Sequence, residues 1–351
     1  MATARKKCLP EQILSNTHME KQTILSTADG RAIITELGSD RRHIKSEPAR
    51  SGIFISRTEI ETSYSLDLIK TILDIKGIGW LCNEIEREES PEYVRANLRY
   101  GLLSFIDESA FKGKTILDFG CGAGASTVIL GRMFPEATVI GSDFLADNLR
   151  IGAERAKFYK TPNVSFVHSA TPDDLLADPP SFDHIVLSAV YEHLLPKERG
   201  TVFPELYRRL KPGGVLFINE LPYRWFPIER HTTRGLPLLN YMPDRMVEWA
   251  AKRFSAFPSA MPWTDLLRDG IRGGSVSEMK RMLKKAKQPA PIFLEPCRLG
   301  IRDDIGLWYI LSTQRKNALV LKMVAAVARI LKAFTGISMI HVLTLALRKP
   351  R

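Results

Sequence analysis

Residues 115–127, TILDFGCGAGAST, limit the possible folds of this chain more than any other stretch. An apolar run, Ile116 and Leu117, leads to Asp118. Glycines then alternate at Gly120, Gly122 and Gly124, and Ala125, Ser126 and Thr127 open a helical pattern. The order is strand, tight turn and helix start. Glycine lets a backbone take positive φ and approach a ligand closely, and the first turn of a helix leaves amides that favour a negative group. Asp118, where the strand ends, can accept from a cationic or hydroxylated ligand. The stretch reads as the binding place of something small and charged.

The unit then repeats. Strands are predicted at 116–119, 138–142, 164–167, 184–187 and 215–219, with helices at 126–134, 146–159 and around 201–210. Such alternation predicts a parallel sheet covered on both faces. Ligands of these sheets lie beyond the carboxyl ends of the strands, which puts Asp118, Asp143, residues 168–174 and residues 188–193 on one rim. The other regions are read as a polar, partly ordered extension over 1–60, a helical cap over 61–111 and the core over 112–221. A lid follows over 222–335, then a terminal strand over 336–351. Within 1–60 only 32–35 and 53–55 look like short strands. The lid opens with aromatics (Tyr223, Trp225, Phe226, Tyr241) among arginines (Arg224, Arg230, Arg234, Arg245), a mixture suited to a sugar, a phosphorylated head group or a base.

Charge separates the two ends of the chain. Of a net +11, residues 230–351 hold 22 Lys/Arg against 8 Asp/Glu, whereas residues 1–229 hold 28 against 31. The basic last third favours an anionic partner. Its amphipathic helix, predicted over 317–334, carries Lys322, Arg329 and Lys332 on one stripe. This helix is expected to pack on the protein, and its basic stripe also fits peripheral association with an anionic membrane. Four cysteines lie far apart with no CxxC pair, which predicts reduced thiols and a cytoplasmic setting. No secretory signal is expected at the basic start. No stretch reaches the ~18 apolar residues that span a bilayer.

Gly120-x-Gly122-x-x-Ala125 also satisfies a dinucleotide fingerprint. Asp118 argues against that ligand, because a pyrophosphate would be repelled there and a cation would not. With ILDFGCGAG, VIGSDF, SFDHIVLSAVYEHL and LKPGG in this order, the chain resembles the class I S-adenosylmethionine-dependent methyltransferases from about residue 92 to 220. HVLTLALRK resembles their last strand more loosely. The resemblance implies a doubly wound α/β fold: a mostly parallel seven-stranded sheet with an antiparallel terminal strand, an N-terminal helical extension and a C-terminal helical lid. It implies S-adenosyl-L-methionine as cofactor, with Gly120, Cys121, Gly122 and Gly124 around its methionyl part. Asp118 would organise that loop, Asp143 would hold the ribose and Phe144 would lie on the adenine. Ser169 and Ala170 stand where the family often has an Asp, and Ser188 ends the fourth strand on the same rim.

An acceptor hydroxyl must lose its proton, and Glu192, His193 and His231 are the candidates to take it. No metal site is expected, since the adjacent Glu192 and His193 would point apart on a regular element. The expected activity is O-methylation of a glycan, lipid-linked or other small-molecule acceptor, anionic in character. The alternatives are an RNA methyltransferase and a catalytically silent S-adenosylmethionine-binding module. Against the first, residues 188–191 read SAVY instead of an Asn/Asp-Pro-Pro-Tyr/Phe motif. Against the second stands the intact glycine motif.

Overall fold

The computed structural model describes residues 21–38, 40–169, 182–233, 235–255, 257–258, 260–313 and 318–351, together with the backbone of 12–14. The chain starts with an antiparallel meander in the order β1 (Gln12–Leu14), β2 (Gln22–Thr27), β3 (Gly30–Gly38), β4 (Arg41–Pro48) and β5 (Glu59–Thr62). The expected partly ordered extension is therefore a five-stranded sheet over much of its length. The reason is its one-sided burial. Leu25, Ala32, Ile34 and Ile44 face inward onto Leu68, Ile69, Ile72 and Leu73. The opposite face carries ion pairs such as Arg31–Glu47 and Lys45–Glu47. In β4 the buried positions are Ile44 and Ser46 alone, so the strand has almost no apolar signature. The run 32–35 lies in β3, whereas 53–55 lies outside any strand.

Three helices lead into the core: α1 (Leu66–Lys76), α2 (Leu81–Glu89) and α3 (Val94–Leu103). Ser65 caps α1 by accepting from the Leu68 amide, and Gly77, at φ 72°, ends it. The core then alternates β6 (Thr115–Phe119), α4 (Ala125–Met133), β7 (Thr138–Asp143), α5 (Ala146–Phe158) and β8 (Val164–His168). It continues with β9 (Phe182–Ser188), α6 (Pro196–Arg209) and β10 (Leu210–Pro222). The 211–214 turn is part of β10, as a register break between Leu210 and Val215.

The lid holds β11 (Ile228–Glu229), β12 (Leu236–Pro237), α7 (Asp244–Phe254), α8 (Trp263–Arg268) and α9 (Val276–Lys285). After these come β13 (Ile292–Phe293), α10 (Asp304–Thr313), α11 (Ala318–Thr335) and the last strand, β14 (Val342–Arg348). The main sheet has the order β13-β14-β10-β9-β6-β7-β8. Neighbours from β10 to β8 are parallel, and β14 runs antiparallel to both β10 and β13. The doubly wound, mostly parallel seven-stranded sheet with an antiparallel terminal strand is as expected. Its strands are buried on both faces: Ile116, Val186 and Phe217 pack with α3 and α4 residues, while Leu117, Ile185 and Leu216 pack with Phe203 and Leu206 of α6.

The amphipathic helix packs on the protein as expected, but through a narrow face. Helix α11 turns Ala325 and Ala328 inward and leaves Val320, Met323, Val327, Ile330 and Phe334 exposed, Phe334 at 87%. Leu321 packs against the core beside these alanines, and the rest of the apolar face is open. Two residues of the predicted basic stripe are paired at the start of α10, Arg329 with Asp303 and Lys332 with Asp304. Among the described residues, no helix is long and apolar enough to cross a membrane.

Candidate active site

The glycine turn between β6 and α4 is held from beneath by two carboxylates. Asp118, 1% exposed, accepts from Ser126 Oγ and Thr127 Oγ1, both at 2.6 Å. Burial pushes its carboxyl up to about 6 against these two donors. Asp143 accepts from the Gly122 amide at 2.9 Å and from the Leu145 amide at 2.9 Å. The amides of Gly120 and Cys121 reach the Ser142 carbonyl, and that of Gly124 reaches the Cys121 carbonyl. The turn thus spends these four amides on itself and on β7, so it is not an open cradle for an anion. Gly120, at φ 71°, could not carry a side chain, since a Cβ there would lie 2.8 Å from Val190. Buried Arg155 locks the turn from behind, donating to the Ala123 carbonyl at 2.6 Å and to the Glu84 carbonyl at 2.6 Å.

Beyond the strand ends lies a cavity of about 460 Å³. Of the residues read from the sequence, Gly120, Asp143, Phe144, Ser169 and His193 line it, joined by Val190, Leu194 and Arg268. Phe144 is 59% exposed beside Asp143. Asp118 lies behind the wall. The Cys121 thiol is buried, which pushes its pKa well above the usual thiol range. Gly124 meets Gly152 and Phe166 of the protein interior. Ser188 accepts from Asn219 Nδ2 at 3.3 Å. Ala170 lies outside the described residues. A carboxylate beside an exposed aromatic ring, an apolar wall and a side-chain-free glycine fit a nucleoside with a charged tail.

A second cavity, of about 310 Å³, opens in the lid and is lined by Tyr223, Arg230, His231, Asn240 and His341 among others. His193 lines the first cavity and His231 the second, their ring centroids 5.7 Å apart, and Glu192 lies beside both rings. Adjacent Glu192 and His193 do not point apart. They sit in a 3₁₀ turn, Tyr191–His193, where successive side chains diverge by about 120° and not the 180° of a strand. His193 Nε2 lies 3.8 Å from Glu192 Oε1, and His231 Nε2 lies 4.0 Å from the same oxygen. Glu192 is 1% exposed, and neither of its oxygens has a hydrogen-bond partner among the described residues. Burial pushes its carboxyl up to about 8, helped by the Glu220 charge. Burial, together with the nearby His193, holds His231 below the usual imidazole range.

Long-range contacts build this cluster. Glu229 accepts from the amides of His231, Thr232 and Thr233, folding the turn that carries His231. The end of α8 orients both rings: His193 Nδ1 donates to the Arg268 carbonyl at 2.5 Å, and His231 Nδ1 meets Thr232 Oγ1 at 3.2 Å, which itself donates to the Asp269 carbonyl. Arg199, 3% exposed, donates to the carbonyls of Glu192, Leu194, Arg272 and Gly273 and so ties the 191–194 turn to the lid. Sequence reasoning missed Arg199 and Arg268. Nothing in LRDG or KERG distinguishes them from surface arginines.

Residues 116–214 match a family model described as a methyltransferase domain. The chain is 32% identical over 174 residues to trans-aconitate 2-methyltransferase of Azoarcus sp. (strain BH72), covering 48% of this chain and 59% of that one. It is 33% identical over 130 residues to the mitochondrial ubiquinone biosynthesis O-methyltransferase of Rattus norvegicus, covering 36% of each. The chain thus spans between about a third and three-fifths of the length of these two relatives. A solved structure of the plantazolicin methyltransferase BamL, with a triazolic desmethylPZN analog and SAH, aligns over 81% of this chain and 96% of that one, at 16% identity and a TM-score of 0.43. The family match, the sheet order and the glycine turn agree: over residues 116–214 the chain carries a class I S-adenosylmethionine-dependent methyltransferase domain.

Proposed function

We propose that the protein is an O-methyltransferase that transfers the methyl group of S-adenosylmethionine to a small, polar or anionic acceptor held in the lid cavity. The observation that carries this reading is that His193 stands on the wall of one cavity and His231 on the wall of the other, with buried Glu192 within 4.0 Å of both rings. When bound, the cofactor supplies a methyl carbon activated by a sulfonium, so the protein's part is alignment and exclusion of water. Asp143 would accept from the ribose hydroxyls, Phe144 would cover the adenine and Gly120 would admit the methionyl chain. Val190 and Leu194 supply the dry wall beside them. The cluster at Glu192 would receive the acceptor's hydroxyl. Arg230 and Tyr223 suit an anionic or sugar-like acceptor, and the relatives named for trans-aconitate and for ubiquinone biosynthesis support a small molecule. Free thiols at Cys82, Cys121 and Cys297 support a reducing, cytoplasmic setting.

Calorimetry with S-adenosylmethionine, followed by tritiated methyl transfer to fractionated cell extract, tests the reading. Donor binding with label in small-molecule or lipid fractions is expected. Absence of donor binding ends the reading. Label confined to RNA replaces the acceptor with a nucleic acid, and binding without transfer to any fraction leaves a silent module.

The exposed face of α11 supports peripheral association with a membrane through apolar contact more than through charge, because Arg329 and Lys332 are engaged with α10. Co-sedimentation with liposomes is expected to fall in the double variant Met323→Asp, Phe334→Asp. Equal binding by the two forms removes the role.

A further inference from the structure

We propose that Glu192, His193 and His231 hold one divalent transition-metal ion of the zinc class, His193 standing on the wall of one cavity and His231 on the wall of the other. The proposal deepens the methyl-transfer reading, on which its catalytic use rests, but binding of the ion can be measured without it. The three ligand atoms lie within 4.8 Å of one another. A four-coordinate ion with bonds of roughly 2.0–2.2 Å needs ligand atoms about 3.4 Å apart. The two approaches to Glu192 Oε1 are 3.8 and 4.0 Å. Small side-chain rotations close the set.

The same distances argue against a hydrogen-bonded acid–base triad. Such bonds run at about 2.7–3.2 Å, and both approaches to the carboxylate exceed that range. The separation leaves a gap that an ion would fill. Such an occupant would neutralise Glu192, which is 1% exposed and whose oxygens have no hydrogen-bond partner among the described residues. A buried carboxylate without a donor is neutralised either by a proton or by a cation.

The imidazoles are set up as ligands. A metal-bound histidine ordinarily donates its other ring nitrogen to an oxygen, which fixes the ring and its tautomer. His193 does this to the Arg268 carbonyl. His231 does it to Thr232 Oγ1, whose own proton is committed to the Asp269 carbonyl. Both Nε2 lone pairs are thereby turned toward Glu192. Gly270, at φ 87°, leaves the room for this: a Cβ there would lie 2.8 Å from His231 Cε1 and 3.2 Å from Glu192 Cγ. Two imidazoles and one carboxylate select borderline ions over magnesium or calcium. Three protein ligands leave a fourth position open. Since His193 and His231 line different cavities, that position would face an acceptor oxygen and favour its deprotonated form.

The test uses the full chain, free of any affinity tag and stripped with a chelator, titrated with Zn²⁺ and separately with Co²⁺ alone. One bound equivalent is expected, with visible cobalt absorption of low coordination number. His193→Ala and His231→Ala should each weaken binding at least tenfold, and Glu192→Gln should alter the spectrum. Cys297→Ser, which removes an exposed soft ligand away from the cluster, should leave both unchanged. Circular dichroism and donor calorimetry on the same samples report whether each variant is folded, and Glu192→Gln keeps the test open if a histidine variant is not. Absence of stoichiometric binding, or equal binding by folded histidine variants, overturns the proposal. If the wild-type chain binds metal but not S-adenosylmethionine, the methyl-transfer reading fails and the metal site stands. The reverse outcome removes the metal alone.

Discussion

Asp118 and Glu192 are both buried carboxylates, each 1% exposed, and their surroundings differ. Asp118 accepts from two hydroxyls eight and nine residues further along the chain. Glu192 has no hydrogen-bond donor among the described residues and faces two imidazoles from 3.8 and 4.0 Å. The burial pushes both carboxyls up, to about 6 for Asp118 and about 8 for Glu192. The smaller rise belongs to the group whose donors compensate part of the desolvation. The contrast separates a carboxylate that serves structure from one whose capacity is left for chemistry. A similar division runs through the buried arginines. Arg155 fixes the glycine turn, and Arg199 fixes the turn that carries Glu192 to the lid.

The comparison breaks most readily at Arg199. Arg199→Met strips the donors from four backbone carbonyls and should cost about 3–5 kcal/mol of stability, read by urea unfolding. Enough folded protein at low temperature should still bind S-adenosylmethionine, because Arg155 and Asp143 hold the glycine turn without Arg199. Loss of donor affinity in proportion to loss of the lid would show that the two sides are one unit. Next in size, Asp143→Ala should weaken donor binding about 100-fold, the worth of two hydrogen bonds to a charged acceptor at roughly 1.5 kcal/mol each. An unchanged dissociation constant by calorimetry would remove Asp143 from the ribose assignment.

The smallest effect concerns pH and Asp118. Its folded-state pKa of about 6 lies above the ordinary 3.8, so folding favours the protonated form. The stability this gives is complete below pH 3.8 and is lost as pH rises through about 6. Asp118→Asn should therefore gain on the wild type with rising pH, by on the order of 2–3 kcal/mol between pH 4 and 7. A difference that stays flat across that range would mean that Asp118 titrates as an exposed carboxylate does.

Much of the core was legible because its signals are local. A parallel strand buried on both faces is a continuous apolar run, so Ile116–Leu117 and Ile185–Leu187 declare themselves. The glycine turn is likewise a matter of backbone conformation within a few residues, at φ 71°, 54° and 76° for Gly120, Gly122 and Gly124. The N-terminal sheet was hidden because one face is charged and only alternate residues are buried. Helix α11 packs through a narrower face than its apolar stripe suggests, for a different reason. Amphipathicity says that a helix has an apolar face, but not which way the tertiary structure turns it.

The sequence by itself determined the alternation of strands and helices, the donor side and the methyltransferase resemblance, since each rests on neighbours in the chain. Only the tertiary structure decided that Glu192, His193 and His231 come together, with the two rings on the walls of different cavities. That meeting depends on Arg199, on Glu229 and on the Arg268 and Asp269 carbonyls. These groups come from separate elements, and hydrogen bonds between distant segments leave no periodicity in a sequence.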